Sequence, residues 1–241
     1  MPPPRITHSL LTRQQARTHY DKSGRREDNH SFYGRKAIAR LLEHGDFGTA
    51  SEVVEFGCGA GGLAQQLMEQ HLPIYANYSG FDLSETMVQL TRKRLIQFGS
   101  RVSVTRTDGR ARVPLPPASA DRFVSTYVLD LLPSPEIAKL LSQAWTILRP
   151  GGLLCLTSLT EGTTFLSKNV IKLWKKLHAR NSSLVGGCRP ISITSFLGPA
   201  SWKILYSTTV VARGVPSAVL VARPRAHAKD SQAQENRGRT P

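Results

Sequence analysis

The sequence predicts an α/β protein: a doubly wound, mostly parallel seven-stranded sheet with a terminal antiparallel hairpin, a Rossmann-like arrangement. Short apolar runs alternate with helical stretches from Glu52 to about Arg180, the rhythm of parallel strands joined by crossovers. Glycine and proline clusters punctuate the joins. Two further runs, Trp202–Ala212 and Ala218–Ala222, are separated only by Arg213-Gly214-Val215-Pro216-Ser217, which places one antiparallel strand near the end of the sheet.

The elements follow in order. Glu52–Phe56 (EVVEF) is a short strand running into Gly57-Cys58-Gly59-Ala60-Gly61-Gly62, with a helix over Leu63–Gln70. A second strand ends at Phe81-Asp82, and Ser84 caps a helix reaching Phe98, because its hydroxyl accepts from a free first-turn amide. Arg101–Arg106 alternates as a strand does, and Asp121–Tyr127 is the next. Ser134-Pro135-Glu136 opens a helix: a cap, a proline where no amide is needed, and an acid favoured by the dipole. Its face Ile137, Leu140, Leu141, Ala144 and Leu148 persists until Pro150-Gly151-Gly152 stops it. Leu153–Leu159 is a continuous apolar run, as in a strand covered on both faces. A helix from after Glu161 to about Arg180 precedes the hairpin.

The domain boundaries that result are an N-terminal arm at 1–34, a main domain at 35–224 with an insert at about 161–201, and a polar tail at 225–241 predicted to be disordered. With 241 residues and 40% hydrophobic content, general disorder and fibrous classes are excluded. The longest apolar stretches, Phe123–Leu132 and Gly151–Leu159, fall well short of the roughly twenty residues of a membrane helix. Cys58, Cys155 and Cys188 lack metal-ligand spacing and an even disulfide set, which predicts reduced thiols in an intracellular, cytoplasmic protein. Organelle import stays open, because the first twenty residues carry Arg5, Arg13 and Arg17 and no acid.

The net charge is +15, unevenly placed: residues 161–224 hold nine basic residues against Glu161 alone. Such a block favours an anionic partner, whether phosphate, nucleic acid or membrane surface.

The glycine loop points to a nucleoside ligand. Glycines let the chain turn sharply and let backbone amides approach a ligand where a Cβ would clash. Gly57, Gly59 and Gly61 make GxGxG, whereas Gly57, Gly59 and Gly62 satisfy the dinucleotide GxGxxG. Asp82, at a strand end, can accept from ribose hydroxyls under either reading.

Four segments together resemble the class I S-adenosylmethionine-dependent methyltransferases: VVEFGCGAGG (53–62), GFDLSETM (80–87), TDGR (107–110) and LRPGG (148–152) followed by LLCLTSL. The resemblance covers about residues 15–224 and implies S-adenosylmethionine as cofactor. It implies Glu55 near the methionine ammonium, and Gly57, Cys58, Gly59 and Gly61 making room for methionine and ribose. Asp82 is implied on the ribose hydroxyls, and Asp108 on the adenine amine with Gly109 beside it. Leu83 and Met87 are implied against adenine, and Tyr20, followed by Asp21, in a helical lid over the pocket. Tyr127 and Asp130, after the fourth strand, are the candidates to orient a nucleophile or take its proton; His19 and His30 enter only by proximity.

The same segment bears on the acceptor. Family members acting on exocyclic or amide nitrogens carry Asn/Asp-Pro-Pro-Tyr/Phe where this chain has STYVLD (125–130), so DNA is not expected. The lidded resemblance points to a small-molecule or lipid-like acceptor, with phospholipid amines and quinols as candidates. The helix after Glu161 adds to this: Phe165, Val170, Leu173, Trp174 and Leu177 share a face and Lys168, Lys172, Lys175 and Lys176 lie mostly opposite, a pattern fitting contact with an anionic membrane or a helix packed on the sheet. RNA stays open from charge. A second class is a catalytically silent protein of this fold that binds RNA or a protein through its basic half.

Overall fold

The computed structural model describes residues 10–23 and 31–225. Most of the expected polar tail, the first part of the arm and His30 lie outside them. The elements are α1 (Arg13–Ser23), α2 (Ser31–His44), β1 (Glu52–Phe56), α3 (Gly62–Gln66), β2 (Asn77–Asp82), α4 (Glu85–Arg94), β3 (Val102–Arg106), β4 (Ala120–Thr126), α5 (Ser134–Ile147), β5 (Leu148–Leu159), α6 (Phe165–Arg180), β6 (Trp202–Ala212) and β7 (Val215–Pro224). They form one seven-stranded sheet in the order β3-β2-β1-β4-β5-β7-β6. Strands β1 to β5 pair in parallel, and β7 runs antiparallel to both β5 and β6.

Alternation along each strand divides the core between the two faces. Val54, Phe56, Phe123 and Leu154 pack with α5 residues such as Ile137, Leu140 and Leu141. Val53, Val124 and Cys155 face Leu41 of α2, Leu63 and Leu67 of the α3 region, and Val88 of α4.

Several boundaries differ from expectation. Helix α5 ends at Ile147, one residue before Leu148, and Arg149-Pro150-Gly151-Gly152 already belongs to β5. Pro133, rather than Ser134, is its N-cap, with no side-chain bond to the helix. The hairpin turn is only Arg213-Gly214, both at positive φ, because two left-handed residues give the twist that matches paired strands. Helix α4 ends at Arg94 and gives way to a tighter turn over Ile96–Arg101.

Helix α6 is rotated from the expected face. Ser167, Ile171 and His178 are buried, while Phe165, Leu166 and Leu173 are exposed. Of the expected face, Val170 and Trp174 remain half-buried, the Trp174 indole N–H donating to the Cys188 carbonyl at 2.8 Å and its ring meeting Tyr33 edge-on at 6.3 Å.

The proline–glycine segment before the core of β5 serves the end of the sheet away from the glycine loop. Arg149 donates to both Asp121 oxygens at 3.1 Å, and Asp121 also accepts from the Ser51 and Glu52 amides at 2.9 Å and the Ser51 hydroxyl at 2.7 Å. One carboxylate thus ties the starts of β1, β4 and β5. Partial burial opposes its ionisation, yet these donors hold Asp121 down to about 2.

Candidate active site

A cavity of about 1050 Å³ opens where β1, β2 and β4 end, the place where parallel sheets bind ligands. It exceeds the roughly 300–1,000 Å³ of typical ligand sites. The sequence dictates its floor. Gly57, at φ 80°, has no room for a side chain: a Cβ there meets a Val128 methyl at 2.2 Å. Gly59, at φ 53°, differs, because a Cβ there meets nothing within 4 Å; its left-handed backbone is turned to open space beside the cavity. Gly61 also has positive φ but is not among the lining residues. It leaves room for Thr91 of α4, whose methyl lies 2.8 Å from an added Cβ.

Asp82 is oriented by backbone. One oxygen accepts from the Gly59 amide at 2.9 Å and the other from the Ser84 amide at 2.8 Å, which fixes the carboxylate at the cavity wall with lone pairs left for a diol. Burial pushes it above the usual carboxylate range, against the pull of those amides. Ser84 also caps α4, as expected, accepting from the Met87 amide at 3.2 Å.

Glu55 lies at the cavity floor, only 1% exposed. Burial pushes its carboxyl up to about 7, opposed by a 2.6 Å hydrogen bond from the Tyr78 hydroxyl and reinforced by the Asp82 charge. Tyr78 was not anticipated, although the signal is present: Tyr78, Gly80 and Asp82 alternate onto one face of β2. Gly80 makes room for it, since a Cβ there lies 3.0 Å from the Tyr78 oxygen and 3.1 Å from the Cys58 sulfur. The Cys58 thiol is buried and pushed up by burial and by the charges of Asp82 and Glu55.

Of the residues singled out in the sequence, Tyr20, Glu55, Gly57, Cys58, Gly59, Asp82, Leu83, Met87, Gly109 and Tyr127 line the cavity. Asp108 does not. Its oxygen accepts from the Arg110 amide at 2.9 Å and its carboxylate pairs with Arg110 at the surface, the behaviour of a turn aspartate. Asp130 is fully buried and absent from the lining; it accepts from the Leu159 amide at 3.1 Å, anchoring the end of β5. Tyr127 sits at φ 55° with its hydroxyl given to Ser217 at 2.8 Å, and burial raises it well above an ordinary tyrosine. His19 meets Tyr20 edge-on and is likewise not in the lining.

The side of the cavity lined by α1 is assembled from distant parts. Asp21 accepts from the Ser84 hydroxyl at 2.5 Å, and the Tyr20 hydroxyl donates to the Gly186 carbonyl at 3.2 Å. Arg13 reaches Glu136 at 2.8 Å, whose other oxygen accepts from the Ala111 amide at 2.9 Å. Arg13 and Glu136 both line the cavity, and neither was singled out for this in the sequence, because the pair spans 123 positions.

These features have counterparts in known proteins. Residues 53–152 match the family described as "Methyltransferase domain". A malonyl-[acyl-carrier protein] O-methyltransferase of Erwinia pyrifoliae is 26% identical over 167 residues, covering 69% of this chain and 58% of that protein. A ubiquinone biosynthesis O-methyltransferase of Azoarcus sp. is 28% identical over 110 residues, covering 46% and 45%. The chain therefore spans about half the length of these curated relatives. Among solved structures, the N-methyltransferase NodS of Bradyrhizobium japonicum, in complex with S-adenosyl-L-homocysteine, shares the fold at a TM-score of 0.60 and 17% identity, covering 80% of this chain and 87% of that one.

Proposed function

We propose that the chain is a class I S-adenosylmethionine-dependent methyltransferase, taking S-adenosylmethionine as its cofactor, and that it methylates a small molecule with an apolar body. Phospholipid amines and quinol-type acceptors are the first candidates. The observation that carries this reading is the cavity: at about 1050 Å³ it is larger than one cofactor needs, and its lining includes Leu11, Leu131, Leu132 and Pro133. The relative named for O-methylation in ubiquinone biosynthesis supports an acceptor of this kind.

The residues present fit the cofactor. Gly59 offers open backbone beside the cavity, Asp82 offers acceptors for two ribose hydroxyls, and Glu55 offers a carboxyl for the ammonium end. Leu83, Met87 and Gly109 form an apolar slot for the base; an added Cβ at Gly109 falls 2.8 Å from Leu83. The bound cofactor supplies a methyl group already activated on sulfur. The chain's task is then alignment and exclusion of water: α1 covers the cavity, Tyr127 holds its far wall through Ser217, and Asp130 braces β5 behind it.

Incubating the protein and methyl-labelled S-adenosylmethionine with cell extract, then partitioning the label, tests the reading. Label in the organic phase is expected. Asp82→Ala is expected to weaken cofactor binding by roughly 1–3 kcal/mol through loss of acceptors for buried hydroxyls. Acid-precipitable label moves the acceptor to protein or RNA, and no transfer by a protein that still binds cofactor overturns the methyl-transfer reading.

A further inference from the structure

We propose that the outer face of α6 docks on a membrane surface bearing anionic lipid. The inward face of this helix is spoken for: Ser167, Ile171 and His178 are buried, Val170 and Trp174 are half-buried, and the His178 ring lies 3.2 Å from the Gly187 carbonyl. The remaining surface is unusual for a solvated face, because Phe165 is 84% exposed, Leu166 63% and Leu173 58%. Leu177 and Leu184 are at the surface as well. At about 100° per residue, Leu166, Leu173 and Leu177 fall within roughly 40° of arc and form a stripe along the helix. Lys168, Lys172, Lys175 and Lys176 spread over about 100° on the other side, with Arg180 between the two sets. No acid lies within Phe165–Arg180; the nearby Glu161 pairs with Lys175 at 2.6 Å.

Both halves of this surface must be satisfied by one occupant. A nucleic acid answers the lysines and leaves Phe165 and the leucines in water. A second copy of the chain answers the leucines, but a two-fold contact sets the same lysine-rich face against itself. An anionic membrane answers both, with lysines at the headgroups and the leucines at the acyl boundary.

The face is also joined to the cavity. After α6 the chain passes through a short turn holding exposed Leu184 to Gly187, where an added Cβ meets Leu11 at 2.7 Å and Leu131 at 3.3 Å, and both leucines line the cavity. Docking therefore sets the apolar cavity wall next to lipid. The docking stands apart from the methyl-transfer reading, to which it adds a source for a lipid-borne acceptor.

The test is sedimentation of the full chain with vesicles of phosphatidylcholine alone and of phosphatidylcholine mixed equally with phosphatidylglycerol. S-adenosylhomocysteine affinity is measured in parallel by calorimetry. Bound protein is expected to rise at least about tenfold with phosphatidylglycerol. It is expected to fall by a similar factor in Leu166→Ser/Leu173→Ser and again in Lys172→Gln/Lys176→Gln, both at exposed positions, with S-adenosylhomocysteine affinity unchanged. Equal sedimentation with and without phosphatidylglycerol overturns the proposal. So does undiminished binding by the leucine variant, which reduces the face to a polycation that RNA would occupy equally well. So does a parent that self-associates in gel filtration while ignoring vesicles, which makes the occupant a second copy. Failure of the parent to bind S-adenosylhomocysteine sinks the cofactor reading and leaves the vesicle result to stand by itself.

Discussion

Glu55 and Tyr78 show how a single buried pair controls a site. A carboxyl 1% exposed is held at about 7 mainly by desolvation, so near neutral pH it is poised between its acid and its anion. A folded-state value raised above the unfolded one stabilises the protein fully below the usual carboxylate range, and that stability is lost as pH rises through about 7. The ligand-free protein is therefore expected to melt lower at pH 8 than at pH 5, by up to the order of 3 kcal/mol from this group. Glu55→Gln flattens the profile, and scanning calorimetry across that range checks it. If the anion meets a cationic cofactor end, S-adenosylmethionine affinity rises through the same interval. Removing the hydrogen bond with Tyr78→Phe moves that rise to higher pH, because the bond favours the anion; an unmoved midpoint assigns Tyr78 to packing alone.

At the scale of elements, the two ends of the sheet do different work. The C-terminal ends of β1, β2 and β4 deliver the glycine loop, Asp82 and Tyr127 to the cavity. At the other end Asp121 collects Ser51, Glu52 and Arg149 and locks three strands in register. Asp121→Ala leaves two partly buried strand-start amides without acceptors, so a stability loss of about 2–3 kcal/mol is expected with little change in cofactor affinity. Urea unfolding together with calorimetric titration separates the two. The sign with pH follows from the lowered carboxyl: its stabilisation is present above the usual carboxylate range and is lost as pH falls through about 2.

Over the whole molecule, the cavity is closed by segments remote in sequence. Tyr20 reaches Gly186, Arg13 reaches Glu136, and Asp21 reaches Ser84, the residue whose amide also orients Asp82. Helix α1 is thereby linked to the Asp82 carboxylate through one serine. Asp21→Ala is expected to weaken S-adenosylhomocysteine binding about tenfold, near 1.4 kcal/mol, while the melting temperature of the ligand-free protein stays close to the parent's. Equal affinity in the variant makes α1 a bystander.

What the sequence determined by itself was whatever rests on local chemistry. Strand and helix periodicity, the Ser84 cap and the glycine turn are written within a few neighbouring residues, and a mostly parallel sheet closed by an antiparallel hairpin follows from their alternation, whereas the order of its strands does not. The residues around Gly57–Gly59 and Asp82 were legible for the same reason, since a strand end, a left-handed loop and an acid recur at fixed spacing. The tertiary structure decided everything that depends on which surfaces meet. It turned Asp108 outward to Arg110, sent Asp130 behind the wall, gave the Tyr127 hydroxyl to Ser217, and split the apolar face of α6, leaving Leu173 and Leu177 at the surface while Val170 and Trp174 are half-buried. It also brought Tyr78 under Glu55 and Arg13 onto Glu136. Spacing along one element fixes a side chain's direction to within a face, but the partner on the other side, and the desolvation it imposes, comes from elements that only folding brings together.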